Sequence, residues 1–156
     1  RIWGGIVAIP ICFIGVYCVK NSSLPIIESP ALLIWFWFLF VIFVMGMISV
    51  PVAEAMLCEQ NWRGELIKHD QSQIVIDEVW GMMITTTSLF WLDFHKYWIA
   101  IGLVFGLFQI FDTVKVWPAN LFDHWENAWG VMLDDGVAAI YASIVLVCIH
   151  HWVYQF

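Results

Sequence analysis

Four long apolar runs dominate the alternation of hydrophobic and polar positions along the chain. Each run lacks Asp, Glu, Lys and Arg, and a membrane-spanning helix needs about 20 mostly apolar residues. The four runs are Ile2–Val19, Ala31–Ala53, Tyr97–Phe111 and Gly136–Phe156. Pro10 lies inside the first run, where a membrane helix tolerates it. The pattern therefore predicts four membrane-embedded helices.

A fifth apolar stretch, Val79–Leu92, is too short to cross a bilayer. Its hydroxyl residues, Thr85 to Ser88, can bond back to a helix backbone, so we predict a short or tilted helix that continues from a turn at Asp77 and Glu78. Gly102 and Gly106, four residues apart, predict a helix–helix contact. No segment shows sustained alternation with a period of two.

The predicted fold class is therefore all-α, a compact membrane-associated helical bundle of about five helices, four of them membrane-embedded. We expect one domain over residues 1–156. The chain starts with Arg1 rather than Met and enters an apolar run at once. We therefore expect that it begins inside a longer protein.

The polar residues collect in two blocks, Glu54–Glu78 and Asp112–Asp135. If the four apolar runs cross the membrane in alternation, both blocks face the same side. That side then holds eleven of the thirteen acidic residues and four of the six basic ones. Lys and Arg are enriched on cytoplasmic sides, so the count favours a cytoplasmic location and predicts that the two blocks form one site.

Composition adds two constraints. The net charge of −7 excludes nucleic acid as a partner, and the hydrophobic share of 62% fits a bilayer as the surroundings. The four cysteines have no CxxC spacing and indicate core thiols.

Two pairs of adjacent acids within apolar sequence are the strongest chemical signal. They are Asp77-Glu78 in IVIDEVWG and Asp134-Asp135 in MLDD, and neither pair has a basic residue nearby in sequence. A buried carboxylate is costly unless a partner compensates its charge. Because oxygen ligands suit Mg²⁺, Mn²⁺ or Ca²⁺, the pattern predicts a divalent metal site.

Lys115 follows Asp112 by three residues, so both side chains would project from one face of a helix. The lysine is a candidate phosphate contact beside the carboxylates. A plain ion pair between the two residues is the alternative explanation.

Several motifs together resemble one family. They are His69-Asp70, Ile74–Gly81 (IVIDEVWG), Phe108–Pro118 (FQIFDTVKVWP), Asp123 and Gly130–Asp135 (GVMLDD), preceded by Gly4–Pro10 (GGIVAIP). In order and spacing this set is similar to the phosphatidylglycerophosphatase A family. The segment that precedes Gly4 in the family pattern is absent, so the chain resembles an N-terminally truncated, divergent member.

The resemblance implies a Mg²⁺-dependent lipid phosphatase of bacterial phospholipid biosynthesis, at the cytoplasmic face of the inner membrane. It would hydrolyse phosphatidylglycerophosphate to phosphatidylglycerol and inorganic phosphate by metal-assisted attack of water. The residues matching family positions are Asp77, Glu78, Asp134 and Asp135 as catalytic residues that also bind the metal, and Lys115, Asp112, Asp123 and Asp70 as substrate contacts, with Lys115 also catalytic.

Four positions depart from the family pattern, and two of them are Trp129 and Ala139, which stand where glycines are usual. Gln109 stands where the family has arginine, which removes a bidentate phosphate contact, and Val116 replaces a proline. A non-enzymatic cation-binding transporter or channel subunit is the competing hypothesis. It predicts acids at mid-span positions on several helices.

Overall fold

The structure is a computed structural model that describes residues 2–56, 74–94, 96–122, 124–125 and 127–155. These ranges contain six α-helices and two short 3₁₀ turns, with no β-strand among them. The helices are α1 (Trp3–Lys20), α2 (Pro30–Met56), α3 (Ile76–Thr87), α4 (Tyr97–Val114), α5 (Ala119–Phe122) and α6 (Ala128–Gln155). The all-α prediction is confirmed, and the sixth helix is the single turn α5.

Helices α1, α2, α4 and α6 are each long and apolar enough to cross a membrane, as predicted. Large apolar side chains cover their outer surface: Leu33, Trp37 and Trp152 are each between 66% and 73% exposed. Contiguous exposed apolar surface of this kind is unusual on a water-soluble protein. The exterior therefore suits contact with lipid.

Helix α3 is the centre of the bundle and packs against all four long helices. Its twelve residues extend about 18 Å, well short of the roughly 30 Å hydrocarbon core. Met82 and Met83 are completely buried. The predicted hydroxyl bonds are present, because Thr85 and Thr86 donate to the carbonyls of Gly81 and Met82 four residues earlier. This bonding lets polar side chains lie inside an apolar core.

Two helix boundaries differ from the prediction, and both place acids inside helices. Asp77 and Glu78 belong to the first turn of α3 rather than to a turn before it. Carboxylates are favourable there because a helix N-terminus carries partial positive charge. Helix α6 begins at Ala128, eight residues before the predicted start at Gly136, so Asp134 and Asp135 are helical. The apolar residues around these acids supply the packing that helix formation needs.

The predicted contact at Gly102 and Gly106 is wrong within the part of the chain that the structure describes, because a Cβ atom at either position would meet none of its atoms within 4 Å. Close helix packing occurs instead at Gly81, where a Cβ atom would overlap the ring of Phe108 and lie 3.3 Å from the carbonyl oxygen of Asp135. The spacing of two glycines did not reveal which face of α4 the bundle covers.

These two environments predict opposite effects of the same substitution. We expect Gly81→Ala to lower the free energy of unfolding by about 1–3 kcal/mol, because Phe108 is fully buried and cannot move aside. Gly102→Ala should raise it by about 0.5–1 kcal/mol, since alanine favours a helix interior. Thermal or denaturant unfolding in detergent measures both. Equal effects of the two variants would contradict the packing described here.

Candidate active site

Four helix segments meet at one end of the bundle: the starts of α1 and α3, the last turns of α4 and the early turns of α6. This end collects five carboxylates, each less than 9% exposed, namely Asp77, Glu78, Asp112, Asp134 and Asp135. Asp77 interacts electrostatically with Glu78, Asp112 and Asp134, and Asp135 interacts with Asp77, Asp112 and Asp134. The two acid pairs of the sequence therefore belong to one cluster, as predicted from the apolar runs.

Burial dominates the electrostatics of the two acids in α3. Burial raises the pKa of Asp77 to about 7, and the neighbouring carboxylates add to the shift, whereas a hydrogen bond from the Glu78 backbone opposes it. Burial also raises the pKa of Glu78. A raised pKa means that the folded protein disfavours the ionised form. Partners that compensate negative charge therefore stabilise these two side chains in the fold.

Backbone N–H groups satisfy part of each acid pair in the same way. The Glu78 N–H donates to Asp77 Oδ1 at 2.8 Å, and the Asp135 N–H donates to Asp134 Oδ1 at 2.9 Å. In each pair the first side chain is thus held by the backbone of the second. These bonds orient the carboxylates without neutralising them.

Two glycines at the start of α1 support Glu78. The Gly5 N–H donates to Glu78 Oε2 at 3.2 Å, and a Cβ atom on Gly4 would lie only 2.6 Å from the same oxygen. Glycine is therefore required for α1 to approach α3 this closely. Gly4 and Gly5 were not among the predicted site residues. The pair of adjacent glycines is the sequence signal that could have revealed this role, because glycine is unfavourable within a helix.

Lys115 also lies among the carboxylates, but the backbone conformation that places it there differs from the predicted one. Helix α4 ends at Val114, and Lys115 follows in the left-handed conformation with a φ of 46°. Its Nζ donates to Asp134 Oδ2 at 2.6 Å. The predicted shared helix face with Asp112 is wrong, because the chain turns out of the helix at this residue. Among the described residues, Lys115 is the basic side chain at this end.

Whether the five carboxylates suit a metal ion depends on their donor atoms and on their arrangement. All five side chains offer oxygen, the ligand that Mg²⁺ prefers. Asp135 Oδ2 is buried with no hydrogen-bond partner in the described ranges, an arrangement that is costly unless something binds it. No three His, Cys, Asp or Glu side chains in those ranges form a ready-made cage. The chemistry of the donors therefore fits a magnesium ion, and the ligand assignments stay predictions.

Two predicted substrate contacts, Asp70 and Asp123, lie outside the described residues. Their place relative to the cluster is therefore still a prediction.

The opposite end of the bundle has a different character. Lys20 Nζ pairs with Asp93 Oδ1 at 2.9 Å, and this ion pair lowers the pKa of Asp93. Lys96 lies at the same end, beside His150. Lys20 and Lys96 are thus separated from the carboxylate cluster, as the predicted topology requires. The buried carboxylates of the described ranges collect at one end and do not form a path along the bundle.

An apolar helical bundle with five buried carboxylates at one end has the features of a membrane-type protein with a polar centre. The model of the family "Phosphatidylglycerophosphatase A" matches residues 2–150. This chain belongs to the phosphatidylglycerophosphatase A family.

Three relatives are similar to parts of this chain. Phosphatidylglycerophosphatase A of Haemophilus influenzae is 38% identical over 97 residues, 62% of this chain and 56% of that protein. The Escherichia coli protein of the same name is 37% identical over 118 residues, 74% of this chain and 64% of that protein. A putative phosphatidylinositol-3-phosphatase of Bacteroides thetaiotaomicron is 36% identical over 84 residues, 54% of this chain and 51% of that protein.

The matched segments thus span between about half and two thirds of these relatives' own lengths. No solved structure is significantly similar to this chain.

Proposed function

We propose that this chain carries the active site of a Mg²⁺-dependent phosphatase that hydrolyses phosphatidylglycerophosphate to phosphatidylglycerol and inorganic phosphate in bacterial phospholipid biosynthesis. The observation that carries the proposal is the cluster of five buried carboxylates with Lys115, placed at one end of four lipid-compatible helices. The names of two relatives supply the substrate.

The residues divide into two roles. Asp77, Glu78, Asp134 and Asp135 would hold Mg²⁺, which when bound neutralises phosphoryl charge and makes water a better nucleophile. Lys115 binds a phosphate oxygen by its ammonium group, and Asp112 helps to position it.

The reaction needs only water as a co-reactant. A water oxygen attacks phosphorus, the bond from phosphorus to the glycerol oxygen breaks, and the leaving oxygen takes up a proton. A carboxylate of the cluster accepts the proton of the attacking water.

We further propose that the protein lies in the bacterial inner membrane with this site on the cytoplasmic side. Lys20 and Lys96 are at the end away from the cluster. If the four spans alternate across the membrane, the other four basic residues are on the same side as the cluster. The bias in Lys and Arg supports this orientation. The bacterial origin of the three relatives supports the compartment.

The competing transporter hypothesis is less well supported. An ion path needs acids at successive depths in the membrane, whereas the described buried carboxylates share one end. A different lipid substrate has a specific reason to be tested, because one relative is named a putative phosphatidylinositol-3-phosphatase. Phosphatidylinositol 3-phosphate, like phosphatidylglycerophosphate, carries a terminal phosphomonoester.

The deciding experiment measures phosphate release by the complete purified protein in mixed micelles. We expect release from phosphatidylglycerophosphate with Mg²⁺, loss of release with EDTA, and recovery when excess Mg²⁺ is added. Phosphatidylinositol 3-phosphate is assayed in parallel. Activity that survives the chelator would contradict the metal role, and faster hydrolysis of the inositol lipid would replace the proposed substrate.

A further inference from the structure

A groove of about 560 Å³ opens between the start of α1 and the last turns of α4. Its walls are Ile2, Phe105, Gln109, Ile110, Thr113 and Val114. The volume is within the range of sites that hold a substantial part of a small molecule. The groove runs along a candidate membrane span, so an occupant could enter it directly from the lipid.

One wall of the groove contains an amide that lacks a partner. Gln109 Nε2 is buried and has no hydrogen bond among the described residues. The nearby hydroxyl of Thr113 donates to the backbone carbonyl of Gln109, and no hydrogen bond joins that hydroxyl to the amide. A buried donor without an acceptor destabilises the fold. The position therefore calls for an acceptor oxygen from a bound molecule.

The same amide lies next to the carboxylate cluster. A Cβ atom on Gly5 would lie 3.1 Å from Gln109 Nε2, and the Gly5 N–H holds Glu78 Oε2 at 3.2 Å. A single glycine thus separates the groove from a predicted metal ligand. A molecule in the groove could place its phosphate among the carboxylates while its apolar part stays in the membrane.

The walls of the groove carry no charge that would repel an anionic occupant. None of the six lining side chains is charged, although the protein has a net charge of −7 and its acids collect at this end. An anion that approaches through the groove therefore meets no exposed carboxylate on the walls. Two other grooves lack this combination. One, between α1 and α2, is lined by apolar residues and the thiol of Cys18, and the other lies at the far end beside Lys96 and His150.

We propose that this groove binds the phosphatidylglycerophosphate substrate and makes Gln109 a specificity-determining residue. An acyl chain lies along Phe105, Ile110 and Val114, and Gln109 Nε2 donates to an oxygen of the glycerol–phosphodiester linker. The inference rests on the proposed function and adds the route by which the lipid enters. It assigns a hydrogen-bond donor for the part of the substrate that phosphatidic acid lacks.

A bulky substitution tests the acyl-chain part. Ile110→Trp fills the groove, and Ile99→Trp is the matched control, an exposed isoleucine near the other end of α4. For the dipalmitoyl substrate we expect Ile110→Trp to raise KM about tenfold or more with little change in kcat, because the chain loses apolar burial. For a water-soluble dibutanoyl substrate, and for Ile99→Trp, KM should stay near the wild-type value. Equal behaviour of the two variants would overturn the proposal.

Removing the amide donor tests the linker contact. Gln109→Leu should raise KM for phosphatidylglycerophosphate severalfold to about tenfold, the range of one lost neutral hydrogen bond, whichever acyl chains it carries. Hydrolysis of phosphatidic acid, which lacks the linker, should change less than twofold. An equal loss on both lipids would show that Gln109 acts only on the fold or on the phosphate.

A binding readout separates this inference from the proposed reaction. Phosphatidylglycerophosphate with a diazirine near the ester end of one acyl chain is photolysed with the complete protein in nanodiscs, and labelled peptides are mapped. We expect label within residues 105–114 that unlabelled substrate displaces and Ile110→Trp abolishes. Label that unlabelled substrate does not displace would indicate bulk lipid only and overturn the proposal. If wild-type protein releases no phosphate but the displaceable label is present, the proposed reaction fails and the groove assignment stands.

Discussion

Asp135→Asn should reduce kcat/KM for phosphatidylglycerophosphate by about a thousandfold or more, the size of effect seen when a principal electrostatic group leaves an active site. Asp135 is 4% exposed, interacts with three other carboxylates, and has an oxygen without a hydrogen-bond partner in the described ranges. An amide of the same shape keeps the packing but offers the metal a much weaker ligand. The assay is phosphate release with saturating Mg²⁺.

The effect of the same variant on stability should have the opposite sign. Without metal, Asp135→Asn removes one of several mutually repelling buried charges, so the protein should unfold at a higher temperature than the wild type. Added Mg²⁺ should raise the unfolding temperature of the wild type and raise that of the variant much less. A variant that is both inactive and less stable without metal would indicate a structural role instead.

Asp93→Asn is the matched control. Asp93 is also an aspartate, but it pairs with Lys20, its side chain is 94% exposed and it lies at the end opposite the cluster. This variant should keep phosphate release within about twofold of the wild type, since exposed ion pairs contribute little. A comparable loss of activity in both variants would show that activity does not depend specifically on the carboxylate cluster.

Lys115→Met should reduce kcat/KM by about a hundredfold, in the range expected for loss of one charged group that stabilises a transferring phosphoryl group. The side chain is only 16% exposed, and its Nζ lies 2.6 Å from Asp134 Oδ2. Methionine preserves most of the aliphatic length and removes the charge. Lys115→Arg should recover part of the activity, because it restores a cation at the same backbone position.

Stability distinguishes this substitution from Asp135→Asn. Breaking a buried ion pair by removing one partner leaves the other charge uncompensated, at a cost of about 3–5 kcal/mol when burial is complete. Lys115→Met should therefore lower the unfolding temperature without metal, and Mg²⁺ should restore part of it. Lys20→Met, which breaks the Lys20–Asp93 pair at the other end, should leave activity nearly unchanged. Equal losses of activity in the two lysine variants would contradict a role for Lys115 in phosphate binding.

The sequence by itself determined the all-α class, the four long helices and the shared location of the acid pairs. These properties depend on the length of apolar runs and on the alternation of spans, and both can be read from one segment at a time. The same local reasoning found Asp77, Glu78, Asp134 and Asp135, because adjacent carboxylates in apolar sequence are costly wherever the chain folds.

Only the tertiary structure decided how the site is assembled. Glu78 and Gly5 are 73 residues apart, Lys115 and Asp134 are 19 apart, and a left-handed residue brings the lysine to its partner. Helical periodicity assigns residues to faces of one helix. It does not determine which helices become neighbours or at which residue a helix ends. For the same reason Gly102 and Gly106 misled the prediction, whereas the groove beside Gln109 became visible only when α1 and α4 were packed together.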